Sequence, residues 1–211
     1  MRTGVFIYEG VEPIDLATYG VLSMARRVAP VISVTTIAPR RGPVMLANGL
    51  EVLAAHGLDH APELDLLIVT GGPGWIAQCE ASSTLAFLRE RAAQGVVIAS
   101  VCTGGMILAA AGLLDGLQAT TKQKVIEGGE VPPLMLLPRR HPAVRAVSAR
   151  LVDEGAVVTG GGVTLCIDVT LYMIERMLGA EVAHETARIM EYSAARDANR
   201  SRLPDIIGAA K

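Results

Sequence analysis

The chain has 211 residues, 51% of them apolar, 19% charged and 3% aromatic. That is enough apolar surface to close a core without disulfides or metals, and it excludes a disordered or low-complexity chain. The 19 Lys and Arg against 21 Asp and Glu leave a net charge of −2, so there is no basic footprint for nucleic acid or an anionic membrane.

Residues 3–8, weighted toward Val5, Phe6 and Ile7, predict a strand, and apolar residues at helical spacing over 14–28 predict a helix after it. Residues 31–38 are rich in β-branched side chains and predict a second strand, while 43–54, with Asn48-Gly49 between apolar flanks, predict a hairpin. The short apolar runs at 65–70 and 96–101 have the pattern of parallel strands covered on both faces, each leading into glycine and a helical stretch. Met, Ile, Leu and Ala crowd residues 106–114 into a buried helix that stops at Asp115-Gly116.

Residues 127–142, with two glycines and four prolines, form a long irregular excursion of the kind that makes binding loops or lids. Residues 144–152 and 156–159, joined by Asp153-Glu154-Gly155, predict a hairpin or adjacent strands, and 165–178 and 180–194 predict two closing helices. No internal repeat or linker divides the chain, so the expectation is a single α/β domain over residues 1–211, a sandwich with a mostly parallel central sheet. No apolar run approaches the ~20 residues of a bilayer span, and the N-terminus runs directly into strand-like residues without a signal-peptide pattern, which points to the cytoplasm.

Three cysteines, Cys79, Cys102 and Cys166, are odd in number and contain no C-x-x-C pair, which argues against a disulfide framework or a zinc site. Cys102 stands where a buried strand passes directly into a helix with glycines at 104 and 105, the arrangement of a nucleophile elbow. A helix N-terminus at that point favours thiolate over thiol, so Cys102 is the candidate reactive residue; the competing reading is a buried structural cysteine. Gly71-Gly72-Pro73-Gly74 follows a strand in the same manner, and its amides are candidates to face developing negative charge, although a glycine turn without function has the same pattern.

Asp15, near the start of the first helix, is an acid able to exchange a proton at the carboxyl end of the sheet or merely to complement the helix dipole, with Glu12 as the rival carboxylate. His56, His60, His141 and His184 read as surface residues, His141 and Lys122 being left open as cleft residues, and Cys79 and Cys166 read as structural. No spaced ligand set calls for a metal, and no G-x-G-x-x-G calls for a dinucleotide cofactor.

The ordered set Glu12-Pro13-Ile14-Asp15, Thr70-Gly71-Gly72-Pro73-Gly74, Ser100-Val101-Cys102-Thr103-Gly104, Ala119-Thr120-Thr121 and Thr159-Gly160-Gly161-Gly162 through Ile167-Asp168 resembles the ThiJ/PfpI superfamily, the class I glutamine-amidotransferase-like proteins. Within it the chain is most similar to the branch of isonitrile hydratases and the amidotransferase-like domains of AraC-type regulators. The resemblance implies a flavodoxin-like three-layer sandwich, a homodimer, Cys102 as nucleophile and Asp15 as its acidic partner. It also puts Thr103 where the protease-like branch has His, which argues against peptidase activity. Lys122-Gln123 stand where the hydratases carry His-Trp, and Asp15-Leu16-Ala17-Thr18 replaces Asp-Leu-x-Gly-Pro.

Two functional expectations follow. One is a cofactor-independent hydratase or hydrolase acting on a small neutral carbon–nitrogen compound, an isonitrile first, with Cys102, Asp15 and Thr103 as its catalytic set and Gly71 and Gly72 as backbone donors. The other is a stress-related redox or ligand sensor in which Cys102 is oxidised without sustained turnover.

Overall fold

The computed structural model describes residues 1–126 and 129–208. Strand β1 (Arg2–Phe6) leads through a 3-10 turn (Pro13–Leu16) into α1 (Ala17–Ala25), followed by β2 (Ser33–Ala38), β3 (Gly42–Met45), β4 (Glu51–Ala54) and β5 (His56–Gly57). Next come β6 (Leu66–Val69), α2 (Trp75–Glu80), α3 (Ser82–Ala93), β7 (Val97–Ser100) and α4 (Gly104–Ala110). The chain then forms β8 (Gln118–Ala119), α5 (Pro133–Arg140), β9 (Arg145–Ala146), β10 (Leu151–Asp153), β11 (Val157–Gly160), α6 (Leu165–Leu178), α7 (Ala180–Ile189), α8 (Ser193–Arg202) and β12 (Asp205–Ile207).

The central sheet has the order β12-β10-β11-β7-β6-β1-β2-β5. The run from β11 to β5 is parallel throughout, and β10 and β12 at one edge run against it. Helices α1, α6 and α7 pack together in one layer and α2 to α5 in the other, so the sheet is covered on both faces and its middle strands are continuous apolar runs. All four residues of β6 are buried for that reason. The result is the expected flavodoxin-like sandwich, with the crevice at the carboxyl ends of β1, β6 and β7. The hairpin at 43–54 is also present: β3 and β4 pair antiparallel with Gly42 opposite Ala54, and Asn48 (φ 59) and Gly49 (φ 88) turn the chain in the left-handed region.

Four sequence expectations change. The excursion at 127–142 is not wholly irregular: α5 occupies Pro133–Arg140, with Pro133 in the first turn, where its missing N–H costs nothing, and Pro133 and Leu137 facing inward. Residues 127 and 128 of that excursion lie outside the described residues. The segment 144–152 divides into β9, which pairs with β8, and β10, which joins the main sheet. The helix expected at 14–28 opens as the 3-10 turn, and α1 covers only Ala17–Ala25. The helix expected over 180–194 stops at Ile189, because Glu191 takes a left-handed conformation (φ 56) and α8 starts afresh at Ser193.

A buried ionic cluster ties this last segment to the core. The Arg150 side chain, fully buried, donates to Asp168 Oδ1 (2.9 Å) and to Asp205 Oδ1 (2.7 Å). Tyr192 and Asn199 donate to Asp168 Oδ2 at 2.7 and 2.9 Å. One guanidinium thus holds α6, β12 and, through Asp168, the start of α8.

Candidate active site

Cys102 sits between β7 and α4 with φ 52, a left-handed conformation that a side chain adopts only when its surroundings enforce it. Here they do. The Cys102 N–H donates to the Gly161 carbonyl (3.1 Å), and the Thr121 hydroxyl donates to the Cys102 carbonyl (2.6 Å). Close packing makes the neighbouring glycines obligatory: a Cβ on Gly71 would stand 2.7 Å from the Cys102 Cβ, and one on Gly104 would collide with the Val69 carbonyl. The sharp strand-to-helix turn read from the sequence is therefore present, and the glycines after β6 make room for it.

The Gly71 and Gly72 amides take a different part from the one expected. Gly71 N–H donates to Asp15 Oδ2 (2.7 Å) and Gly72 N–H to Thr103 Oγ1 (2.8 Å), so both are committed to protein acceptors rather than standing open to an incoming charge. They hold the acid and the threonine in place beside Cys102. Asp15 itself is completely buried, and its second oxygen, Oδ1, has no hydrogen-bond partner among the described residues.

In front of Cys102 opens a cleft of about 520 Å³. Gly72, Pro73, Trp75 and Ile76 supply one part of its wall, Val125, Val131, Pro133 and Leu136 another, and Cys102, Thr103 and Val163 also line it. Its charged residues are Glu12, Lys122, Glu130 and Arg140, the Arg140 guanidinium lying 5.1 Å from the Trp75 ring centroid. The proline-rich excursion thus does form a wall of the site, as a loop and the helix α5. Lys122, left open in the sequence, does line the cleft, whereas Arg140 is marked by nothing in local spacing and comes here through the packing of α5, which brings its guanidinium onto Trp75 of α2.

The two carboxylates separate clearly. Glu12 is half-buried and lines the cleft, whereas Asp15 lies behind it. The Asp15 charge bears on the Cys102 thiol, raising it. Burial pushes the Asp15 carboxyl up to about 8, the Gly71 amide pulling it down and the Glu12 charge adding to the rise. Burial, and then the Asp15 charge, also push the Cys102 thiol above its ordinary range, against the opposing pull of the Thr103 amide and Lys122. At 2% exposure, desolvation thus acts on Cys102 against the lowering expected from the helix N-terminus.

The remaining candidates stay outside. His141 caps the end of α5 through its backbone and does not line the cleft; His56 is half-buried on β5, and His60 and His184 are exposed. The Cys79 thiol contacts the Met106 carbonyl (3.5 Å), and the fully buried Cys166 contacts the Ile14 carbonyl (3.6 Å); burial pushes both thiols up to about 12. Among the described residues no group of three or more His, Cys, Asp or Glu could hold a metal ion, and no helix is long and apolar enough to cross a membrane.

Known proteins resemble this chain in sequence and fold. An isonitrile hydratase from Pseudomonas putida is 32% identical over 196 residues, covering 92% of this chain and 80% of that protein. The HTH-type transcriptional regulator GbdR of Pseudomonas aeruginosa is 32% identical over 164 residues, but the chain spans only 42% of its length. Among solved structures, a ThiJ/PfpI protein from Pseudomonas syringae superposes with a TM-score of 0.79 at 26% identity, covering 91% of this chain and 75% of that one. Drosophila melanogaster DJ-1beta superposes with a TM-score of 0.76 at 21% identity, covering 91% of this chain and 98% of that one, a likeness of fold. The DJ-1/PfpI profile matches residues 1–176, which include the whole elbow, the Asp15 turn and the glycine strand ends, and the chain belongs to the DJ-1/PfpI family.

Proposed function

We propose that the protein is a cofactor-independent hydratase that adds water to a small neutral carbon–nitrogen compound, with an isonitrile giving an N-substituted formamide as the leading reaction. The observation that carries this reading is Asp15: a fully buried carboxyl with one oxygen anchored by the Gly71 amide, the other unpartnered, and its charge felt by the Cys102 thiol. A buried acid left half-satisfied is destabilising, and such groups are kept where chemistry uses them.

In this mechanism the pair reacts with one proton between the two groups. Asp15 takes the thiol proton as the Cys102 sulfur attacks the terminal carbon of the isonitrile, and returns it to that carbon, leaving a thioimidate and an ionised Asp15. Asp15 then accepts a proton from water as the water oxygen adds to the same carbon, and passes it to nitrogen. Collapse of the tetrahedral adduct breaks the carbon–sulfur bond; the thiolate leaves and recovers the hydroxyl proton, and the formamide is released. Thr103, held by Gly72, contributes its backbone amide to the side of the sulfur.

The apolar cleft wall formed by Trp75, Val125 and Leu136 suits the organic group of a neutral substrate. The 32% identity to an isonitrile hydratase over nearly the whole chain supports the same reading. The sensor reading needs an accessible, acidic thiol; the 2% exposure of Cys102 and its raised thiol weigh against it. The homodimer implied by family resemblance is kept as a proposal, tested by sedimentation of the intact chain. The deciding experiment is formamide production from an aryl isocyanide followed by mass spectrometry. The wild type should turn over and Cys102→Ala and Asp15→Asn should not; equal rates in all three would overturn the mechanism.

A further inference from the structure

We propose that Lys122 is the positioning residue of the nucleophile, its side-chain stem standing beside Cys102 across Gly162 and its charge stabilising the thiolate that develops as the cysteine reacts. The two side chains meet at one point in the fold. A Cβ on Gly162 would lie 3.1 Å from the Cys102 sulfur and 3.1 Å from both Cβ and Cγ of Lys122, so the sulfur and the lysine stem are no further apart than twice that distance. Both residues line the cleft.

The backbone around Lys122 is fixed to the elbow. Thr121 donates its hydroxyl to the Cys102 carbonyl (2.6 Å), and the Lys122 carbonyl accepts from Leu134 N–H (3.0 Å) in α5. The ammonium donates to the Lys124 carbonyl, which leaves donors in hand, and among the described residues it forms no ion pair with a carboxylate. A half-buried lysine held at a nucleophile without a carboxylate of its own has the thiolate as its natural counter-charge.

The other groups around the sulfur act differently. Asp15 from the 3-10 turn and Cys166 from α6 oppose ionisation of Cys102, and Lys122 is the cation that favours it. Tyr8, after β1, donates its hydroxyl to the Thr70 carbonyl (3.1 Å) and is kept neutral, first by burial and then by the charges of Asp15 and Cys102. Glu12, Glu130 and Arg140 complete the charged lining of the cleft, with Arg140 engaged on Trp75. The proposal adds no covalent step; it gives the buried thiolate an electrostatic partner.

It rests on Cys102 as the nucleophile of the proposed function but not on the identity of the substrate. The test is iodoacetamide labelling of the full-length protein, with the Cys102 peptide quantified by mass spectrometry across pH. Lys122→Met keeps the stem and removes the charge; it should slow Cys102 labelling about tenfold at each pH below the thiol midpoint, equivalent to a rise of about one pH unit. Lys122→Arg should label like the wild type. Equal labelling rates for wild type and Lys122→Met, or an Arg variant as slow as the Met variant, would overturn the proposal. Because labelling needs no substrate, a protein that shows this pattern yet leaves isocyanides untouched refutes the hydratase reading alone.

Discussion

Two buried aspartates, each completely shielded from water, are treated in opposite ways by this fold. Asp168 receives the Arg150 guanidinium on one oxygen and Tyr192 and Asn199 on the other, so its charge is neutralised and its lone pairs are used. Among the described residues Asp15 receives only the Gly71 amide, pairs with no cation, and keeps Oδ1 unpartnered. The difference is that between a carboxylate spent on architecture and one held in reserve. Where burial is compensated the group pins segments together, and where it is not, the proton becomes mobile at near-neutral pH.

The largest effect belongs to the sulfur: Cys102→Ala should lower isocyanide turnover by roughly 10⁴-fold or more while leaving the unfolding midpoint close to wild type. Asp15→Asn should lower turnover by about 10²- to 10⁴-fold, the loss of a general acid and base. Its effect on stability should run the other way. The folded carboxyl titrates at about 8, above its ordinary 3.8, so its contribution is complete below about pH 4 and is lost as pH rises through about 8. An uncharged amide has no such loss, and the variant should gain on wild type in thermal unfolding as pH rises from about 4 to about 8, with no further gain above.

Next in size, Arg150→Met strands two carboxylates, Asp168 on α6 and Asp205 on β12, beside the elbow, where the Arg150 carbonyl accepts from Gly161 N–H (3.1 Å). It should cost about 3–5 kcal/mol in urea unfolding and leave kcat of the folded fraction near wild type. A large kcat loss there would erase the distinction between the two aspartates. The smallest effect is on the pH profile. If the reacting pair must shed its first proton, kcat/KM should climb about tenfold per pH unit and level off near pH 8, the Asp15 value; a flat profile from pH 6 to pH 8 would mean that Asp15 is already ionised in the free protein.

Much of this was legible in the residues themselves. Continuous apolar runs at β6 and β7 announce doubly covered parallel strands, Asn48-Gly49 announces the hairpin, and Ser100-Val101-Cys102-Thr103-Gly104-Gly105 announces a turn too tight for anything but small neighbours. What misled were features whose meaning depends on partners. Prolines suggested irregular chain, yet Pro133 merely starts α5; glycine amides after β6 suggested an open anion hole, yet Asp15 and Thr103 occupy them. The helix N-terminus suggested an acidic thiol, yet burial raises it.

The residues alone thus foretold the sandwich and the tight turn at Cys102, because strand periodicity and steric demands on glycine are local. The burial of Asp15 while Glu12 lines the cleft, the commitment of the Gly71 and Gly72 amides, and the meeting of the Lys122 stem with Cys102 follow from the packing of distant segments. Desolvation and charge pairing depend on neighbours that are distant along the chain, and no local pattern encodes them.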